Sequence, residues 1–453
     1  MIVMKFGGTS LGDAKRIRIA AGLVQDRLDR KPFVVASAVG SSIGPDGVKR
    51  KKVTDLLIAA GEKAMAGDPL SGFSEVQGRH YEIIDELGVS REIIESELAE
   101  LNDLLRGVFL IKELTPRTMD YIMSFGERMS CKLLGEELKR RGVSAIAVNS
   151  YDIGFITDSK FGQARPVAEA PEMIRKAVEA IREDVIVTTG FVGRNAAGEI
   201  TTVGRQGSDY SASYFGAVLG AEEVQIWTDV DGVLTADPSI IPDATSLEKM
   251  TFREAAELSY YGAAVLHPST MIPAVEKGIP IRVLNTFKPS NPGTVILPTI
   301  PDAPAGVKSV VYKEDITLIN VVSTRMLGQA GFMAHMFNVF AKHDVVIDMI
   351  ATSEISVSMT TWNPTNIEGA ARELRESAVA DVTVEPGKAI ICVVGSGMRH
   401  AVGTSSRTFG AVGAAGVNIE MISQGASEIN IALLVKNEDI EKAVRALHVE
   451  FFH

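Results

Sequence analysis

At 453 residues the chain is longer than one hydrophobic core serves, so about two or three domains are expected. Its composition, 46% apolar and 23% charged, is that of a globular protein, and no apolar run approaches the roughly 20 residues that cross a bilayer. A net charge of −11 argues against a nucleic-acid partner, and the widely separated Cys131 and Cys392 supply neither a disulfide framework nor a zinc spacing. The amino terminus lacks a charged segment followed by an apolar one, so no signal peptide and a cytoplasmic location are expected.

From Met1 to about Leu297 short runs rich in Val, Ile and Thr read as strands: MIVMKF, PFVVASA, SAIAV, DVIVTTGFV, EVQIWTDV and IPIRVLN. Amphipathic stretches lie between several of them, including Glu127 to Arg141 and Glu172 to Arg182. That alternation predicts an α/β domain with a largely parallel sheet. Four clusters within it suit an anionic substrate. In VMKFGGTS, Gly7 and Gly8 let the backbone turn sharply and approach a phosphate, and Lys5 offers a cation. The segment is not a Walker A loop, and a plain strand and turn is the alternative. SFGERMS sets Glu127 at an expected helix start as an acceptor for an ammonium group, with a solvated Glu as the alternative. TTVGRQGSDYSA gathers Arg205, Gly207, Ser208 and Asp209 before a helix; Arg205 offers a fork for a carboxylate or phosphate, while Asp209 caps or orients. WTDVDGVL ends a strand in Thr228 and Asp229, where open α/β sheets bind ligands. The short basic run at Lys49 to Lys52 reads as a solvated loop.

A proline-rich stretch, Lys288 to Val307, marks a boundary, although GTVIL within it reads as an edge strand. Beyond it the chain repeats itself. Met326 and Met398 stand 72 residues apart, and Phe337/Phe409, Ile347/Ile419, Asp348/Glu420 and Met349/Met421 share that offset. Each copy reads strand, helix, strand, strand, helix, which predicts two small βαββαβ modules. Phe337 is read as core packing.

Taken together, VMKFGGTSL, SFGERMS, TTVGRQGSDYSA, IWTDVDGVLTADP, YYGAAVLHPST, GFMAHMF, TSEISVSM and SQGASEINI resemble the aspartokinase family, in order along nearly the whole chain. The resemblance implies an amino-acid kinase fold, an open α/β sandwich, over residues 1–297. A connector at 298–307 and ACT modules at 308–385 and 386–453 would follow, with the C-terminal segment a candidate to complete the first module. It implies ATP-dependent phosphorylation of the L-aspartate β-carboxylate, with Mg²⁺. Lys5 would stabilise the transferring phosphoryl, and Asp209 would orient that lysine and the active-site loop. Ser37, Thr54, Glu127, Arg205 and Ser208 would hold aspartate. Gly7, Gly8, Thr9, Ser10, Gly207, Thr228, Asp229 and Leu234 would hold ATP. Met326, Gly331, Phe332, Met333, Asp348, Ser353 and Glu354 would form the pocket of an effector, lysine or threonine, and a homodimer or dimer of dimers would form through the ACT edges. The chain departs from the family pattern at Gln206 (usually Gly), Leu234 (usually Tyr), Ser239 (usually Arg) and Ala264 (usually Lys). Those departures leave open a silent amino-acid sensor, and the fold leaves open a kinase for another acidic amino acid.

Overall fold

The structure, a computed structural model, describes residues 1–44, 46–204, 206–262, 266–300, 305–377, 380–398, 401–425 and 429–453. Arg205, Ala264 and part of the proline-rich connector therefore lie outside the described residues. The chain divides into two compact units: Met1–Val233 with Glu248–Phe252 and Val265–Thr299, and Leu234–Leu247 with Arg253–Ala264 and Ile300–His453.

The first unit is built on an eight-stranded sheet. Its order runs Lys249–Thr251, Thr294–Leu297, Ile281–Asn285, Glu223–Thr228, Ile2–Phe6, Pro32–Ala36, Val185–Thr189, Ala145–Val148. Every pairing is parallel except Ile281–Asn285 with Thr294–Leu297. The central strands Ile2–Phe6, Pro32–Ala36 and Val185–Thr189 are buried along their whole length, which is why they read as unbroken apolar runs. All six strands expected in this region form. Thr294–Leu297 is not at the edge, because Lys249–Thr251 pairs outside it.

Helix signals set where the functional side chains fall. Asp13 caps Ala14–Gln25 by accepting from Arg16 N. Thr115 caps the 25-residue helix Pro116–Arg140, with Pro116 at its first position. Glu127 is consequently mid-helix, not at a helix start: the Thr-Pro start signal lies about three turns upstream, and nothing between interrupts the helix. Asp209 does lie in the first turn of Gly207–Leu219, as expected.

In the second unit the two repeats form one antiparallel sheet of six strands. Its order is Ile350–Thr352, Ser356–Thr361, Ser309–Val322, Asp381–Val394, Asn430–Lys436, Met421–Ser423. The two central strands are each 14 residues long and serve both modules. The later half of Ser309–Val322 packs with Phe332–Lys342 and Ile367–Ser377 around Ile319, Met336, Phe340, Val357 and Leu374. Its first half lies against the later half of Asp381–Val394 and contributes Val310 to a second core, with Ile391, Val412, Leu433, Val444 and Leu447. The C-terminal helix Ile440–Phe452 stays in this second core and does not complete the first module. Ala236 and Ile241 join the same core, Ser309 Oγ donates to Leu234 O (2.8 Å), and Val310 N donates to Thr235 O (2.8 Å). Segments inside the expected 1–297 span thus pack with the repeats. Phe337 corrects another expectation. The inward stripe of its helix is Phe332, Met336, Val339 and Phe340, and Phe337 falls off that stripe, 36% exposed.

Candidate active site

The first unit holds a cavity of about 400 Å³ lined by Lys5, Ser37, Thr54, Glu127, Gly207, Ser208 and Asp209, together with Met123, Gly162, Phe191, Thr202, Gly204 and Gln206. Seven of the predicted catalytic and binding residues, from five separate stretches of sequence, therefore converge on one space. Lys5 comes from the second-last position of the innermost strand Ile2–Phe6. Its ammonium makes an ion pair with Asp209 Oδ1 at 2.6 Å, both side chains being about one-tenth exposed. A side chain at Gly7 would come within 3.4 Å of Lys5 Nζ, so the absence of a Cβ there keeps the space beside the ammonium clear.

The turn after that strand is fixed from below. Gly7 N donates to Trp227 O (3.0 Å), and the Ser10 hydroxyl donates to the same carbonyl (3.1 Å) and meets Thr286 Oγ1 at 2.6 Å. Ser10 is fully buried and its hydroxyl is spent on these partners. Gly8 touches Gly40 of the neighbouring loop, with Gly40 N donating to Gly8 O at 2.9 Å. A Cβ on Gly40 would lie 2.3 Å from Gly8 C, so the close approach requires glycine. Thr228 ends its strand with its hydroxyl donating to Asp229 Oδ1 (3.1 Å), and Asn285 Nδ2 donates to Asp229 O (3.3 Å). Leu234 belongs to the second unit.

Glu127 is the electrostatic feature of the cavity. One carboxylate oxygen accepts from Ala38 N (3.1 Å), while Oε2 is buried without a partner among the described residues. Burial pushes its carboxyl up to about 8; the Ala38 hydrogen bond and nearby Lys5 oppose that shift without cancelling it. A buried carboxylate with a free oxygen facing substrate space is a ready acceptor for an ammonium group. Ser37 is held beside it: Ser130 Oγ donates to Ser37 O (2.6 Å), and Ser208 Oγ donates to Ser37 Oγ (3.3 Å).

Sequence reasoning missed several residues that line or brace the cavity. Asp120, on the helix that carries Glu127, accepts from Gly162 N and Thr202 N, both at 2.8 Å, and from Thr202 Oγ1, also at 2.8 Å. It thereby fixes two walls of the cavity, and burial raises its carboxyl above the usual range. Phe191 follows the strand Val185–Thr189 in the left-handed region (φ 63°), uncommon for a bulky residue; its place just past a parallel strand's carboxyl end was the available signal. Gln206 is also left-handed (φ 53°), which explains why glycine suits that position, and its Oε1 accepts from His267 N at 2.7 Å.

The predicted effector residues lie in the second unit. Gly331 (φ 91°) precedes Phe332–Lys342; Phe332 is in the first module's core, and Met326 and Met333 pack at its margin. The Asp348 side chain is buried, its Oδ1 accepting from Tyr260 Oη (2.5 Å) with Lys313 Nζ at 3.8 Å. Burial raises its carboxyl. Ser353 forms a turn with Ser356 (N to O, 2.8 Å) beside the exposed Glu354.

A lysine–aspartate pair and paired glycine turns at the carboxyl edge of a parallel sheet define a small-molecule kinase of the amino-acid kinase class. The family models agree: the amino acid kinase family matches residues 1–285 and the ACT domain matches 319–377 and 391–451. The chain is 39% identical to aspartokinase 1, chloroplastic, of Arabidopsis thaliana, over 99% of its own length and 80% of the relative. It is 32% identical to the lysine-sensitive aspartokinase 3 of Escherichia coli, covering 100% of this chain and 99% of that one. The crystal structure of E. coli aspartokinase III with aspartate and ADP superposes with a TM-score of 0.81 at 32% identity, covering 100% of both chains. The chain belongs to the aspartokinases.

Proposed function

We propose that the chain transfers the γ-phosphoryl group of ATP to the β-carboxylate of L-aspartate, giving 4-phospho-L-aspartate. The observation that carries this is one cavity joining the buried Lys5–Asp209 pair to the partnerless oxygen of Glu127. Glu127 takes the substrate ammonium, and Ser37, Thr54 and Ser208 line the same wall. Arg205 takes the α-carboxylate. The β-carboxylate is itself the nucleophile, so no protein side chain need form a covalent intermediate. What remains is positioning and charge neutralisation. Lys5, oriented by Asp209, meets the charge that develops on the transferring group, while the Gly7–Ser10 turn, Gly207, Thr228 and Asp229 hold the nucleotide. Among the described residues no group of three His, Cys, Asp or Glu side chains stands ready for a resident metal. Mg²⁺ carried on the ATP phosphates would supply charge neutralisation to the transferring group.

The ACT repeats supply feedback, and lysine is the effector favoured by the E. coli relatives, one named lysine-sensitive and one solved with lysine and aspartate. Asp348 accepts its ammonium, with Met326, Gly331, Phe332, Met333, Ser353 and Glu354 around it. The short end strands Ile350–Thr352 and Met421–Ser423, with Ile350 and Ile422 exposed, are the ACT edges through which copies would pair in a dimer. Two free buried thiols suit a reducing cytoplasm. The test is hydroxylamine trapping of the acyl phosphate. Hydroxamate formed with aspartate but not glutamate, lost in Lys5→Met and suppressed by lysine, is expected. Turnover with glutamate alone points to the other acidic-amino-acid kinase, and amino-acid binding without turnover to a sensor.

A further inference from the structure

The phosphate turn, residues 7–12, and the neighbouring loop 37–42 approach so closely at Gly8 and Gly40 that no side chain fits between them. Two arginines brace this contact from outside the cavity. Arg79, on the helix Pro69–Leu87, is 6% exposed. Its Nη2 donates to Gly12 O, to Ser42 Oγ (2.9 Å) and to Gly40 O (3.4 Å). Its Nη1 donates to Glu82 (3.3 Å), one turn along the same helix, and Glu82 in turn accepts from Arg50 on the short hairpin after the loop (2.6 Å). Arg16, from the helix Ala14–Gln25, donates through Nη1 to Thr9 O (2.9 Å) and Ser41 O (3.3 Å). Each guanidinium thus joins a carbonyl of the phosphate turn to the facing loop.

We infer that Arg79 is a positioning residue for the nucleotide: with Arg16 it clamps the phosphate turn at a fixed spacing from the loop carrying Ser37. The inference rests on the kinase reading above. A buried guanidinium is costly unless its donors are used; here Nη2 reaches a backbone carbonyl of each functional loop and the Ser42 hydroxyl, and Nη1 reaches Glu82, while Nε has no partner among the described residues. The aspartate wall has separate anchors: Glu127 on Ala38 N, Ser130 on Ser37 O, and Val53 N on Val39 O (2.9 Å). Releasing the clamp therefore loosens the nucleotide side selectively.

The experiment compares wild type, Arg79→Met, Arg79→Lys and Arg16→Met by ADP titration calorimetry, KM for ATP and for aspartate, and thermal melting. Arg79→Met is expected to raise the ADP Kd and the ATP KM together by about tenfold, the size of one lost charge-assisted hydrogen bond, with the aspartate KM within about twofold. Arg79→Lys falls between, and Arg16→Met, which opens the clamp from the other side, repeats the pattern even where Arg79→Met does not fold. Both KM values rising in step, or a lowered melting temperature with unchanged ADP affinity, overturns the positioning role. A folded wild type that binds no ADP overturns the kinase reading, and this inference with it.

Discussion

Replacing Glu127 by Gln should flatten the pH dependence of the catalytic unit's stability. In the folded chain the carboxyl titrates at about 8, against 4.5 in its ordinary state, because burial disfavours the anion. A raised folded pKa means the stabilisation is whole below about pH 4.5 and is lost as pH climbs through about 8. The gap of about 3.5 units corresponds to about 5 kcal/mol, of which about 2–3 kcal/mol is lost between pH 6 and 9. That is a sizeable share of a typical domain's stability of about 5–15 kcal/mol. Gln keeps an acceptor for Ala38 N and cannot ionise. The assay is urea unfolding at intervals across that range in a Trp362→Phe background, which leaves fully buried Trp227 as the only indole in the chain. The wild-type curve should fall relative to Glu127→Gln by that amount. Parallel curves would refute the account of Glu127 as a carboxyl held neutral by burial.

The same carboxyl predicts a proton count: at pH 7 it is mostly protonated, so binding the aspartate ammonium should release close to one proton per site, read from calorimetry in buffers of differing ionisation enthalpy. Asp209→Asn strands the Lys5 ammonium in a site about one-tenth exposed; it should cost about 3 kcal/mol in denaturant unfolding and lower kcat by about 10²-fold or more. Gln206→Ala keeps the left-handed strain and loses the His267 bond, so it should destabilise by about 1 kcal/mol, whereas Gln206→Gly relieves the strain and should come out near zero by thermal melting. Gly40→Ala drives a Cβ into Gly8 and should abolish ADP binding or folding.

The parts of the fold legible in the sequence were those written in continuous local pattern. The buried parallel strands announce themselves because both faces are apolar, and Lys5 and Asp209 stand out because glycine turns flank them. Glu127 was legible as a functional group but not in its place, since a helix running through small and polar residues such as Ser124 and Gly126 hides its own middle. Asp120 and Phe191 were invisible because their importance arises from contacts 42 to 82 residues away and from a backbone angle, neither of which leaves a local mark. The packing of 234–247 with the repeats was equally hidden, because the core that its apolar residues Ala236 and Ile241 join begins only at Val310 downstream.

The two 14-residue strands at the centre of the regulatory sheet have a consequence for how the chain can be cut. A boundary drawn between the repeats, at residues 385 and 386, falls inside Asp381–Val394, and the partner strand Ser309–Val322 is likewise divided between the two cores. A fragment ending there would keep the first core but leave Ser309–Lys313 without the strand it pairs with. A fragment starting there would lack Val310. Although the sequence repeats, the folded object does not split at the repeat: the smallest piece that can be lifted out intact contains both copies, and a duplication visible on paper has become a single cooperative body.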